Sequence, residues 1–140
     1  MQLPAVNYLA VLTGGVIIFM LGGLWYSPVL FAKKWLALMG KTEADMKAAA
    51  GTGPMPLMYL AAFLCGLLSA WVLAIILNHF VNLTPLRGAL VGVLCWLGFA
   101  GATSYATAVF TMKPKLLWLI DSGFNLVSFI LAGILLAVWR

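Results

Sequence analysis

The stretch Met55 to Asn78, MPLMYLAAFLCGLLSAWVLAIILN, carries no charged side chain. A helix needs ~20 apolar residues to cross ~30 Å of hydrocarbon, and this segment meets that length with a proline at its start. Three further segments fit the same description: Ala5 to Tyr26, Leu86 to Phe110 and Leu116 to Trp139. The first three hold no Asp, Glu or Lys in their apolar runs, with Arg87 at an end, and the fourth holds Asp121 near its beginning. A central charge costs ~2.5–3.5 kcal/mol on the insertion scale while each Leu, Ile or Phe returns ~0.3–0.6, so the fourth segment inserts as well. Hydrocarbon cannot satisfy open peptide groups, which makes each run a helix. The expected fold is an all-α membrane protein, a bundle of four transmembrane helices in a single domain spanning residues 1–140.

Composition agrees. Of 140 residues, 65% are hydrophobic and 8% charged, and the mean hydropathy is +1.12, far too apolar for a soluble domain. The net charge of +5 does not point to nucleic acid, because the basic residues stand singly or in pairs beside apolar runs. Lys33, Lys34, Lys41, Lys47, Lys113 and Lys115 fall in the first and third loops, and only Arg87 and Arg140 fall on the other side. By the positive-inside rule the Lys-bearing loops face the cytoplasm and both termini lie outside it. No basic residue precedes the first apolar run and no cleavage site follows it, so it is expected to remain in the mature chain.

Prolines punctuate the ends: Pro28 follows the first helix, Pro54 and Pro56 precede the second, Pro85 the third and Pro114 the fourth. Trp25, Tyr26, Trp118 and Trp139 suit interfacial belts. In the first loop, Phe31, Trp35 and Leu38 recur at i, i+4 and i+7 with Lys34 and Lys41 on another face, the pattern of a short helix lying in the membrane surface, where its lysines meet lipid headgroups. Thr42 followed by Glu43-Ala44-Asp45 resembles a capping box that starts a second short helix, with Gly51 at its end.

Small residues mark packing faces: Ala62, Gly66, Ala70 and Ala74 in the second helix, Gly88 and Gly92 in the third, and Gly14 with Gly22 or Gly15 with Gly23 in the first. Such spacing lets helix backbones approach closely, within one chain or between chains, so a homo-oligomer or another membrane protein is an expected partner besides lipid. The two halves show no repeat of the inverted kind.

Asp121 is the only acid within a crossing, and an intramembrane ionisable group is a functional candidate because its burial is costly. Asn125 and Ser128 share its helix face at i+4 and i+7. On the topology above, Thr103, Ser104, Tyr105 and Thr107 fall in the same layer as Trp25, Tyr26, Asp121 and Asn125. That layer suits a small-ligand pocket with Asp121 and Asn125 as polar contacts and Trp25, Tyr26 and Tyr105 as walls. The plainer, structural reading of Asp121 is preferred to a functional one. Asp121 lies ~8 Å inside its helix, where it can pair with Lys113, Lys115 or a first-loop lysine and suit the helix dipole, and each Ser or Thr can bond back to its own helix.

Catalysis and cofactors find little material. There is no GxSxG, HExxH, Walker or GxGxxG pattern, and a chain with one histidine and three acids lacks acid and base partners, so no enzyme is expected. Cys65 and Cys95 have no CxxC spacing and only His79 as a companion, so they are expected to be small packing residues, with no metal and no cofactor. His79 beside Asn78 and Asn82 suits a solvated interfacial site, and the sequon Asn82-Leu83-Thr84 is taken as chance because Pro85 follows it in a short loop. Proton-coupled export is disfavoured because the first helix holds no acid.

The elements Asn7-Tyr8-Leu9-Ala10-Val11, Leu21-Gly22-Gly23-Leu24-Trp25-Tyr26-Ser27-Pro28 and Lys34-Trp35 resemble the opening of the bacterial "domain of unknown function 1761" family. The resemblance continues through Leu94-Cys95-Trp96-Leu97-Gly98-Phe99 and Leu119-Ile120-Asp121-Ser122-Gly123-Phe124-Asn125-Leu126, and Trp-Tyr-Ser-Pro is its most specific part. It implies a four-helix bacterial inner-membrane protein and no activity. Asn and His are frequent in the family where Asp121 and Asn125 stand here, so the resemblance implies polar side chains at these positions rather than a negative charge.

Overall fold

The structure is a computed structural model that describes residues 4–52 and 55–140. These are mostly helical, with four helices among the described residues long and apolar enough to cross a membrane. The first, α1, spans Tyr8–Trp25. It begins three residues later than the apolar run because Asn7 caps it: Asn7 Oδ1 accepts from the backbone N–H groups of Leu9 and Ala10, both at 3.1 Å. The loop helices follow as α2 (Ala32–Leu38) and α3 (Glu43–Thr52). Gly40, at φ +67°, reverses the chain after α2 as the left-handed cap residue. Thr42 and Asp45 form the expected capping box, with Asp45 Oδ2 accepting from Thr42 N at 2.7 Å and Asp45 N donating to Thr42 Oγ1 at 3.2 Å. The helix continues through Gly51 to Thr52 rather than stopping at the glycine.

The second crossing, α4, is Met55–Leu77, with Pro56 in the first turn where its missing N–H has no helical partner anyway; Pro54 lies outside the described residues. The third crossing is continuous from Pro85 to Phe110 but changes winding twice. It runs as α5 (Pro85–Cys95), a π-helical turn at Trp96–Gly101, and α6 (Ala102–Phe110). Thr84 caps α5 through a 3.3 Å bond from Arg87 N, which gives the sequon threonine a structural role. The fourth crossing, α7, is Lys115–Val138.

Of the four crossings, α7 is the central one: α1 and α4 pack on each other and on α7, while the third crossing packs chiefly on α7 alone. Hydrocarbon offers no hydrophobic drive between helices, so close backbone approach must hold them. Gly88 and Gly133 provide it, since a Cβ on either would collide with the carbonyl oxygen of the other; a Cβ on Gly92 would strike Phe129 O in the same way. On the other side, Gly66 meets Ile18 and Gly14 meets Ala70. Ala10, Val11, Leu73, Leu77, Ala132 and Leu136 fill the centre.

Ala5 and Arg140 lie at the end of the bundle formed by the α4–α5 turn. Asn78 Nδ2 donates to Ala5 O at 2.7 Å, and Arg140 Nη1 donates to Phe80 O at 3.3 Å. The first and third loops share the opposite end, which is where the polar cluster forms.

Candidate functional site

Three separate segments deliver donors to Asp121. Tyr26 follows the last residue of α1, and its hydroxyl donates to Asp121 Oδ1 at 3.0 Å. Trp35, in the middle of α2, donates through Nε1 to the same oxygen at 3.0 Å. Lys113, between α6 and α7, places Nζ 2.6 Å from Oδ2. A carboxylate has about four lone-pair positions, and three are engaged, one by a full positive charge. Trp25 adds a bond from Nε1 to Ile120 O at 3.0 Å, next to Asp121 on α7.

The local chain explains each placement. After Trp25 and Tyr26, Ser27 Oγ bonds back to Leu24 O at 2.7 Å and the Phe31 and Ala32 N–H groups return to Trp25 O and Ser27 O, folding the chain over so that α2 crosses the end of α7. Lys113 is aimed by the end of α6. Met112 stands at φ +51°, with its N–H on Val109 O, and Lys113 N bonds Ala108 O at 2.9 Å, the paired bonds of a Schellman motif. A methionine in that conformation is strained, and the bonds around it hold it there.

Aromatic rings wall the cluster on the bundle side. Tyr26 lies 5.0 Å from Trp35 and 5.7 Å from Phe124, centroid to centroid, and Trp25 lies 4.9 Å from Phe31. Lys113 and Asp121 each keep about a third of their side chain accessible, so the ion pair sits at the rim of the bundle rather than sealed within it.

The five residues read from the sequence therefore divide. Asp121, Trp25 and Tyr26 come together. Asn125 lies one turn further in, makes no hydrogen bond among the described residues, and faces a separate cavity of about 30 Å³ between α1, α4 and α7, with Ile18, Ser69, Leu73, Ser128 and Ala132 also in its wall. Tyr105 lies apart from both: its ring packs edge-on against Trp118 at 4.9 Å, and Trp118 Nε1 bonds Ser104 Oγ at 3.0 Å. Thr103 and Thr107 bond back to Phe99 O and Thr103 O, as helix hydroxyls commonly do.

Trp35 is the residue whose role the sequence pattern misplaces. Its spacing with Phe31 and Leu38 suits a lipid-facing stripe, yet its N–H points toward the carboxylate, and α2 is docked on α7. A buried indole N–H usually finds an acceptor, and the one acid within a crossing was the available one. A second feature with no clear sequence signal is the π turn. It sets Trp96 so that its Nε1 donates to Ser122 O at 2.9 Å and its ring lies against Gly101.

Four apolar crossings, a central α7 and a polar cluster joining two loops define a multi-pass helical membrane bundle. The family described as "Protein of unknown function (DUF1761)" matches residues 9–137, and the chain belongs to that family. Neither curated proteins nor solved structures give a match to it.

Proposed function

We propose that this is a non-enzymatic bundle of the bacterial inner membrane that binds a small lipid-like molecule with a zwitterionic head at the Asp121–Lys113 rim. The orientation follows the lysines: six lie in the two loops at that rim, against Arg87 and Arg140 at the far end, which puts the rim in the cytoplasmic leaflet and the termini outside. The observation that carries the reading is the accessible ion pair itself. An ammonium group on the ligand is suited to Asp121, whose Oδ1 already takes the Tyr26 hydroxyl and the Trp35 N–H, and a phosphate is suited to Lys113. The exchange swaps one ion pair for two and leaves no charge alone.

A competing reading is an accessory subunit or homo-oligomer joined through small-residue faces, of which Ala62 and Gly23 stay open to a partner. Gly66, Ala70, Gly88 and Gly92 face other helices of the same chain and are not free for a partner.

Native mass spectrometry of delipidated protein titrated with phosphatidylethanolamine or phosphatidylglycerol tests the reading. The zwitterionic lipid is expected to bind about tenfold more tightly, a difference of ~1.4 kcal/mol, and Asp121→Asn and Lys113→Met are each expected to remove that preference. Equal binding of the two lipids, or a preference unchanged in both variants, contradicts it.

A further inference from the structure

The cavity between α1, α4 and α7 is small but polar on one side. Ser128 is 4% exposed, lines it, and its Oγ has no hydrogen-bond partner. Asn125 lines it one turn earlier on α7, also without a partner among the described residues. Ser69 lines it from α4, and because its hydroxyl donates to Cys65 O at 2.9 Å, the oxygen keeps its lone pairs free. Ser69 shows the option that Ser128 does not take, a bond back to its own helix. Ile18, Leu73, Phe129 and Ala132 close the rest of the wall.

We propose that this cavity is a binding site for one internal water molecule, hydrogen-bonded to Ser128 Oγ, the Asn125 amide and Ser69 Oγ. A site for water needs roughly 10–15 Å³ or more of the volume that a water-sized sphere can occupy, together with two to four polar partners, and both conditions are met by the 30 Å³ space and its three side chains. The chemistry selects water over other occupants. The three polar groups are neutral, so a metal cation would lack a counter-charge in a low-dielectric interior. An acyl chain would fit neither the volume nor the orphaned hydroxyl. Water both donates and accepts, and it satisfies Ser128 and Asn125 together. This site is separate from the Asp121 rim and does not depend on lipid binding there.

Magnetisation transfer from water, measured by NMR on the full chain in nanodiscs of deuterated lipid, tests the proposal. Long-lived water cross-peaks are expected to the methyl groups of Ile18 and Ala132 and to the Asn125 side-chain N–H₂. In Ser128→Ala/Asn125→Leu the two methyl cross-peaks are expected to vanish while the Trp96 indole resonance stays in place as a sign of an intact bundle. Absence of the methyl cross-peaks in the unmodified protein shows the cavity to be dry and overturns the proposal without recourse to any variant. Their persistence at full intensity in the double variant overturns it also.

Discussion

Lys113 Nζ stands 2.6 Å from Asp121 Oδ2, a charged bond that ties the loop before α7 to a point two turns into that helix. Trp35 and Tyr26 reach the other carboxylate oxygen from the first loop. One side chain thus joins both loops to the helix that every other crossing touches.

Replacing Asp121 by Ala leaves three donors without their acceptor. Because the pair is about a third exposed, water can replace part of what is lost, and the expected destabilisation is about 1–3 kcal/mol rather than the larger figure for a sealed pair. Asp121→Asn keeps an acceptor and is expected to cost less. Unfolding titrations in mixed micelles give both values.

Met112 holds the left-handed position that a glycine would hold without strain. Met112→Gly is expected to stabilise the protein by about 0.5–1 kcal/mol, the relief of strain exceeding the added freedom of the unfolded chain. The same titration checks it, and a loss of stability would show that the methionine side chain has a packing role.

Gly88 and Gly23 make a matched pair of tests. A Cβ at Gly88 collides with Gly133 O, so Gly88→Ala must push α5 away from α7, with an expected cost of about 1–3 kcal/mol or more. Nothing lies within 4 Å of a Cβ at Gly23, and Gly23→Ala is expected to be neutral or mildly stabilising. Thermal midpoints of the two variants, compared in one detergent, separate them.

The capping box of α3 sets a pH dependence. The bond from the Thr42 backbone N–H, and then that from its hydroxyl, holds the Asp45 carboxyl below the ordinary carboxylate range. A group whose value is lowered on folding stabilises above the unfolded value, about 3.9 for Asp, and the contribution fades as pH falls through the folded value. Protection of the Met46 amide, whose N–H bonds Thr42 O, is therefore expected to fall in acid below that range once exchange is compared with the unprotected rate at the same pH. In Asp45→Ala the acid-dependent step is expected to disappear.

The crossings were legible because the apolar runs are long and the solvent is hydrocarbon; Met55 to Asn78 admits no other reading. Their ends were less so, since Asn7 sets the start of α1 by a side-chain cap that hydropathy does not register. Asp121 stood out as the one acid in a crossing, and Lys113 was within reach of it. Trp35 did not, because helical spacing reports which residues share a face and not which way a docked helix turns that face. Tyr105 failed to join the cluster for a related reason: position along the crossings groups residues into a layer, but azimuth around the helix depends on packing against α7. The π turn at Trp96–Gly101 shifts that azimuth, and nothing in its composition announces it.

The most direct test of the carboxylate as the shared anchor is a double-mutant cycle between Trp35 and Asp121, using Trp35→Phe, Asp121→Ala and the double variant in unfolding titrations. If the indole N–H and the carboxylate hold the first loop together, the two losses overlap and the double variant falls short of their sum by about 0.5 kcal/mol or more. Strict additivity would mean that α2 is held by something else and that Asp121 does not gather the loops.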